Sequence, residues 1–344
     1  MEQAELVVVE RFVRRHVGDG NPPGAAYARS VRRLRLQPAT YRKVALAAVV
    51  LLAGIIVTGA AVRLTGSGLG CPEWPSCERT QFHPDSGDLH AMIEFVNRMV
   101  TGLVSVVVIA CVLGSLWREP RRRDLIGWSL GLVAGVFAQA VLGGFVVIFH
   151  LQPPFVMGHF ILSLVLLWNA LVLYKRAGTP PGPARLAVDP RVRTVSRALL
   201  VTVSVVVVTG TVVTATGPHG GDEEARRFGF EISSVARIHG ISVMAFLALT
   251  LLTLWMVQRL AADDGVRNRI GAVLFIALAQ AAIGYIQYLN DIPALLVGMH
   301  VAGATALWAA VVWFHLGLFV RGPAPTEDGT EAPDRPDRDR LQPA

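Results

Sequence analysis

The stretch Val57-Thr58-Gly59-Ala60-Ala61-Val62-Arg63-Leu64-Thr65-Gly66 is answered later in the chain by Val208-Thr209-Gly210-Thr211-Val212-Val213-Thr214-Ala215-Thr216-Gly217. Val, Thr, Gly, Val, Thr and Gly recur at identical spacing, and each copy closes a long apolar run. A second pair of matches follows in the same order. Ala138-Gln139-Ala140 precedes His159 as Ala279-Gln280-Ala281 precedes His300, each His twenty residues after its Gln. One short match in apolar sequence can be chance. Two independent sets in one order indicate an internal duplication.

The runs that carry these matches are long enough to cross a bilayer, which takes about 20 apolar residues at 1.5 Å rise each. Eight are legible, roughly at 44–63, 91–116, 125–149, 154–174, 195–214, 233–257, 268–288 and 294–319. Only 17% of residues are charged and 53% are hydrophobic, against roughly a quarter charged in a soluble domain. With four spans per half, both halves enter the membrane from the same side. The expected fold is therefore all-α and integral to the membrane: eight transmembrane helices forming two parallel-repeat four-helix bundles, related by an axis along the membrane normal. The expected divisions are a basic segment at 1–43, a first half at 44–174, a linker at 175–194, a second half at 195–319 and a disordered tail at 320–344.

The net charge of +7 is a matter of topology and not of nucleic-acid binding. Of the 32 Lys and Arg residues, 26 fall in the N-terminal segment, the 117–124, 175–197 and 258–269 connections, and the tail. That asymmetry is the positive-inside pattern for an even number of spans with both termini cytoplasmic. Residues 1–42 lack the apolar core of a cleavable signal, so the first span is expected to act as an uncleaved signal-anchor. The Pro-, Asp- and Arg-rich tail cannot bury a core.

Of three cysteines, Cys111 lies within an apolar span and reads as a small core residue. Cys71 and Cys77 share the first long outer loop, on the oxidising side of the membrane, which favours a short-loop disulfide. No Cys-x-x-Cys-His occurs, so covalent haem attachment is not indicated.

Imidazoles inside spans are costly and are functional candidates by default. His159, His239 and His300 each lie one to two helical turns below the outer surface, about 8–12 Å at 1.5 Å per residue. Two neutral imidazoles on facing helices can supply both axial positions of a haem iron, and His239 with His300 in one four-helix unit are read as that pair. The first half breaks the symmetry. Asn97 stands where the second half has His239, and an amide is a poor ligand for haem iron. That half carries Glu94 and Arg98 instead, spaced i,i+4 so that they can pair on one helix face. Two readings stay open for them: an ion pair that makes both charges tolerable, or a carboxylate available for proton or charge transfer beside a ligand. His90 shares their face about two turns higher. His83, His150 and His219 fall in or beside outer loops, where solvated histidines are expected. Arg63 and Arg237 suit either propionate contacts or interfacial snorkelling, and Gln139 and Gln280 are expected to bridge helices.

These residues resemble the haem A synthase family over essentially all of 44–319. The resemblance rests on Val57-Thr-Gly with Arg63 and Thr65-Gly-Ser-Gly, the Cys71–Cys77 loop, Ile93-Glu-Phe-Val-Asn-Arg98 and Gly158-His159. In the second half it rests on Thr216-Gly-Pro-His-Gly-Gly-Asp222, Arg237-Ile-His239 and Gly298-Met-His300. It implies oxidation of the C8 methyl of haem O to the formyl group of haem A. By matching positions, His239 and His300 would hold haem b as cofactor, His159 the substrate haem with Asn97 and Arg98 beside it, and Glu94 would be the catalytic carboxylate. Haem O synthase as a partner, and a terminal oxidase as recipient, are implied in the same way; the electron acceptor is not. Membrane lipid is the solvent of the fold, and a homo-oligomer is compatible with the sequence. The chain departs from the family pattern at Asn97, where many members have His. The alternative is a dihaem b-type electron carrier without synthase activity, which predicts two equivalent bis-histidine sites where this chain has one complete pair. A two-repeat transporter predicts a polar site at the membrane midplane, whereas the buried polar groups here cluster near the outer face.

Overall fold

The computed structural model describes residues 35–322 apart from 72, 74–75, 78–82, 85–86 and 224. Most of the expected basic N-terminal segment and of the tail lies outside these residues. Among the described residues eight helices follow one another: α1 (Pro38–Leu64), α2 (Leu89–Trp117), α3 (Arg123–Ile148), α4 (Pro153–Ala177), α5 (Pro190–Thr216), α6 (Ile232–Arg259), α7 (Asp264–Leu289) and α8 (Ala294–Gly317). Each is long and apolar enough to cross a membrane, and the chain is a multi-pass membrane protein. Proline opens α1, α4 and α5, where its missing N–H costs nothing. Asp88, Asp189 and Asp263 cap α2, α5 and α7 by accepting from Ala91, Arg191 and Val266 N–H, which satisfies donors the helix leaves orphaned. Large apolar side chains on the outer faces, such as Val50, Phe137 and Phe275, remain exposed. In a bilayer that surface meets hydrocarbon, so the exposure is no liability.

Within each half the helices pack in sequence and close on themselves: α1–α2, α2–α3, α3–α4 and α4–α1, then α5–α6, α6–α7, α7–α8 and α8–α5. Between the halves, α1 meets α8, α4 meets α5, and α4 meets α8. Exchanging the halves maps this contact set onto itself. At the shared seam the Trp308 indole N–H donates to the Leu164 carbonyl at 2.9 Å, and Trp168 and Trp308 meet edge-on at 6.1 Å. A two-stranded antiparallel ribbon, β1 (Ala184–Leu186) with β2 (Phe319–Arg321), ties the inter-half connection to the chain beyond α8. Val320 and Arg321, placed in the tail on sequence grounds, thus belong to regular structure.

The turns repeat where the sequence does not. His150 and Leu151 take φ of 50° and 55°, and Asp291 and Ile292 both take 57°. In both turns an N–H reaches back five residues, Leu151 to the Val146 carbonyl and Ile292 to the Gln287 carbonyl, each at 2.9 Å. A left-handed conformation costs a non-glycine residue roughly 1–2 kcal/mol. Paying that cost twice, at equivalent places, fixes the start of α4 and α8 and hence the depth of His159 and His300. The turn at Leu151 also meets the loops that follow α1 and α5: a Cβ on Gly68 or Gly221 would come within 3.1 Å of the Leu151 side chain, and Gly68 N–H donates to Gly221 O at 2.8 Å.

Candidate functional site

Beneath these loops lies a cavity of about 1180 Å³ that reaches into both halves. It exceeds the 300–1,000 Å³ usual for a single small-molecule site. Its wall includes His159, Asn97, Glu94 and Arg98 from the first half and His239 and His300 from the second. All the candidate ligands named above therefore open on one space, a continuity that spacing along the chain does not reveal.

In the second half the rings of His239 and His300 face one another, centroids 6.4 Å apart and planes at 77°. Glycine on the neighbouring helix gives each ring its seat. A Cβ at Gly210 would stand 3.1 Å from His239 Cε1, and one at Gly284 3.2 Å from His300 Cε1. The Thr209 hydroxyl donates to the Val205 carbonyl at 2.9 Å, so its lone pair faces His239 Nδ1 at 3.1 Å. With Thr209 accepting, Nδ1 carries the proton and Nε2 keeps a free lone pair, the arrangement that fits an imidazole for ligation. Gln280 crosses from α7 to donate to the His300 carbonyl at 2.7 Å.

The first half repeats the frame with different side chains. Gln139 donates to the His159 carbonyl at 3.1 Å, and a Cβ at Gly143 would stand 3.3 Å from His159 Cε1. Both glutamines bridge helices, as expected. Thr58, the counterpart of Thr209, donates to Asn97 Oδ1 at 2.9 Å. Asn97 thus occupies the place of His239 in space as well as in sequence. It does not fill it: a Cβ at Gly59, the counterpart of Gly210, would meet nothing within 4 Å. The Nδ1 atoms of His159 and His300 are buried without a hydrogen-bond partner among the described residues. Buried polar atoms left so are rare and point to a ligand or water at the ring.

Glu94 is the one carboxylate on the cavity wall among the described residues. Its Oε1 accepts from Arg98 Nη2 at 2.5 Å and Nε at 3.1 Å, and its Oε2 from Cys71 N–H at 2.9 Å. Arg98 also donates to the carbonyls of Cys71, Glu73 and Ser76 at 3.0–3.4 Å. The ion pair therefore holds the outer loop as much as the loop holds the pair. Cys71 and Cys77 are joined in a disulfide and are buried against Ala91 and Phe95.

Other candidates resolve separately. Arg63 lines the cavity and donates to the Thr214 carbonyl of the other half at 2.9 Å, and Arg226 and Arg237 join it on the wall. His90 turns instead to Ser67, 3.0 Å away. His219 is not a solvated loop histidine: half-buried on the cavity wall, it places Nε2 2.8 Å from the Ile292 carbonyl and helps hold the turn before α8. Thr58, Thr209 and Arg226 were not singled out as site residues from sequence. The two threonines lie inside the repeated Val-Thr-Gly, which was the available signal.

Among the described residues, no three of His, Cys, Asp and Glu cluster as metal ligands. The histidines form a facing pair and a single ring, too few for a structural ion held by protein alone. Two axial donors suffice where a macrocycle supplies the equatorial set.

A family model described as COX15-CtaA, cytochrome oxidase assembly protein, matches residues 42–218. The chain belongs to this family. The matched region contains the whole first half and α5; the second half rests on its internal correspondence with the first. Proteins named Heme A synthase are similar over shorter stretches. The one from Geobacillus kaustophilus is 30% identical over 107 residues, 30% of this chain and 32% of the relative. That from Exiguobacterium sibiricum is 30% identical over 169 residues, 47% and 55%. That from Bacillus pumilus is 31% identical over 122 residues, 35% and 39%. The chain thus matches between about a third and just over half of the length of these relatives.

Proposed function

We propose that this chain is a haem A synthase of the cell membrane, converting the C8 methyl of a bound haem O to the formyl group of haem A. The observation that carries the reading is the asymmetry on a shared scaffold. One half presents two facing imidazoles to the cavity; the other presents one imidazole, an amide and a buried carboxylate to the same cavity.

In this reading the two halves are parallel repeats, 44–174 for the substrate and 195–319 for the cofactor, joined through 175–194. Both termini, with the basic segment and the tail, are cytoplasmic, and the cavity lies toward the opposite side. His239 and His300 would hold haem b, which would supply one-electron chemistry when bound. Thr209 sets the tautomer of His239, and the glycines at 210 and 284 let the rings stand close to the neighbouring helices. His159 ligates the substrate haem from one side, and Arg63, Arg226 and Arg237 offer cations to its carboxylates. With water as oxygen donor, each hydroxylation breaks a C–H bond, forms C–OH, and releases two protons at the porphyrin edge and two electrons to a one-electron acceptor. Glu94 is placed to take one of those protons or to balance developing positive charge, while Arg98 and Cys71 N–H keep it oriented. Haem O synthase upstream and a terminal oxidase downstream follow from this activity.

The test is extraction and chromatography of non-covalent haems from cells that make haem O, with and without the chain. Haem A formed, with haem b retained by the purified protein, supports the reading. Haem b alone, with haem O unchanged beside a competent electron acceptor, overturns it in favour of a b-type electron carrier.

Asn97→His is expected to turn the first half into a copy of the second, with Thr58 beside the new ring as Thr209 is beside His239. In the protein loaded with iron porphyrin, carbon monoxide should bind the reduced first-half site of the parent and fail to bind that of the variant, because both axial positions are then filled. Equal carbon monoxide binding in the two proteins would show that position 97 does not face the iron.

A further inference from the structure

At the end of the bundle opposite the histidines, cations from three helices converge on a stacked aromatic pair. Tyr174 and Trp313 lie with centroids 5.7 Å apart and planes at 28°. Arg42 of α1 sits 5.1 Å above the Tyr174 ring, and its Nη2 donates to the phenol oxygen at 3.3 Å. Lys175 of α4 and Arg269 of α7 stand 5.7 and 5.9 Å from the centre of the Trp313 ring. Both guanidinium groups act electrostatically on Lys175. Among the described residues none of the three forms an ion pair with a carboxylate, although nearby Arg122 and Arg176 share Asp124 and Arg267 has Asp264.

Helix ends account for part of this arrangement. Arg42 lies over Gly178, after the last turn of α4, and Arg269 over Gly317, the last residue of α8; in each case an added Cβ would fall within 2.7 Å of the guanidinium group. A helix C-terminus carries roughly −0.5 charge, so two of them offset about one of three positive charges. About two remain without a counter-charge at the level of the last helical turns, where Lys175 and Arg269 are half-buried and Arg42 is exposed. Below Arg42 on the same face of α1, Leu46 and Val50 are 41% and 60% exposed, an apolar track running from the cluster toward the membrane centre.

We propose that Arg42, Lys175 and Arg269 bind the phosphate headgroup of an anionic phospholipid whose acyl chain lies along Leu46 and Val50. Tyr and Trp anchor helices at the membrane interface, and basic pockets between transmembrane helices take such headgroups. The lipid phosphate supplies the missing negative charge and bridges α1 and α4 to α7 and α8, across the seam between the halves. The site is independent of the cavity chemistry.

Native mass spectrometry of the full-length protein in detergent tests this, with phosphatidylglycerol, cardiolipin, phosphatidylcholine or inorganic phosphate added separately. Each basic residue contributes about fivefold to anionic-lipid affinity, so Arg42→Gln/Lys175→Gln/Arg269→Gln should bind anionic lipid on the order of a hundredfold more weakly. A control of equal charge, Lys43→Gln/Arg121→Gln/Arg123→Gln, removes exposed cations of the same end and should bind like the parent. Retained binding in the first variant, equal loss in both, or equal binding of phosphatidylcholine would overturn the proposal. Competition by inorganic phosphate at comparable concentration would overturn the lipid assignment and leave a small-anion site. Melting temperature and haem content of each variant separate loss of the site from loss of the fold.

Discussion

His300→Ala is expected to leave the purified protein without haem b. The second half offers two imidazoles, 6.4 Å apart between ring centres, and both would be needed to hold the haem iron. With one removed, an iron porphyrin keeps a single protein ligand in a wide cavity, and binding should fall below what survives purification. The fold itself should tolerate the change. His300 Nδ1 makes no hydrogen bond among the described residues, and the ring faces a cavity and not a packed core, so little is lost on truncation beyond its contact with Gly284. His239→Ala should behave alike. Added imidazole, small enough to enter the space vacated by either ring, should restore the haem b absorption bands. Thr209→Val is the graded companion: it keeps both ligands and the backbone partner at Val206 but removes the hydroxyl beside His239 Nδ1, and loss of such a partner typically costs 10–100-fold in affinity. The measurement is haem b per protein by absorbance and extraction. Full haem b content in both alanine variants would remove His239 and His300 from the site.

Most of the architecture was legible because bilayers impose a simple rule: spans must be long, apolar and helical. The paired Val-Thr-Gly and Ala-Gln-Ala segments then gave the correspondence between halves, and the bridging role of Gln139 and Gln280 followed from it. The i,i+4 spacing was enough to foresee the Glu94–Arg98 pair. What was not legible depended on backbone conformation or on contact between halves. His150-Leu151 and Asp291-Ile292 share no residue type, yet both turn through the left-handed region, because the shape of the connection and not its composition is repeated. His219 looked like a loop histidine, since nothing in Gly-Pro-His-Gly shows that Ile292 will come within hydrogen-bond reach. Arg63 could be assigned to the outer end of its span, but its bond to Thr214 exists only because the loops after α1 and α5 meet. The same meeting merges two expected sites into one cavity, a property of the assembled halves and of neither sequence alone.

Glu94→Gln is expected to retain haem b, bind the substrate haem and lose conversion. Proton transfer by a positioned side chain contributes typically 10²–10⁴-fold, and haem A formation should fall by that order. The rival is a structural role, and its weight can be judged from the contacts. Breaking a buried ion pair costs about 3–5 kcal/mol when the remaining charge has nowhere to turn. Arg98 has somewhere to turn: the carbonyls of Cys71, Glu73 and Ser76 all accept from it. The glutamine amide oxygen can still accept from Cys71 N–H as Glu94 Oε2 does, so the cost should lie nearer the 1–3 kcal/mol of an imperfectly satisfied buried group. A fall in melting temperature is therefore compatible with either role, and haem content and conversion must be read together with it. Loss of conversion with haem b and bound substrate unchanged assigns the carboxylate to the chemistry. Conversion within a few-fold of the parent reduces Glu94 to the anchor of the disulfide loop. Glu94→Asp sharpens the distinction, because it keeps the charge and shortens the reach: a structural partner for Arg98 could be kept by a small shift of the guanidinium, whereas a proton acceptor drawn back from the porphyrin edge should lose most of its effect.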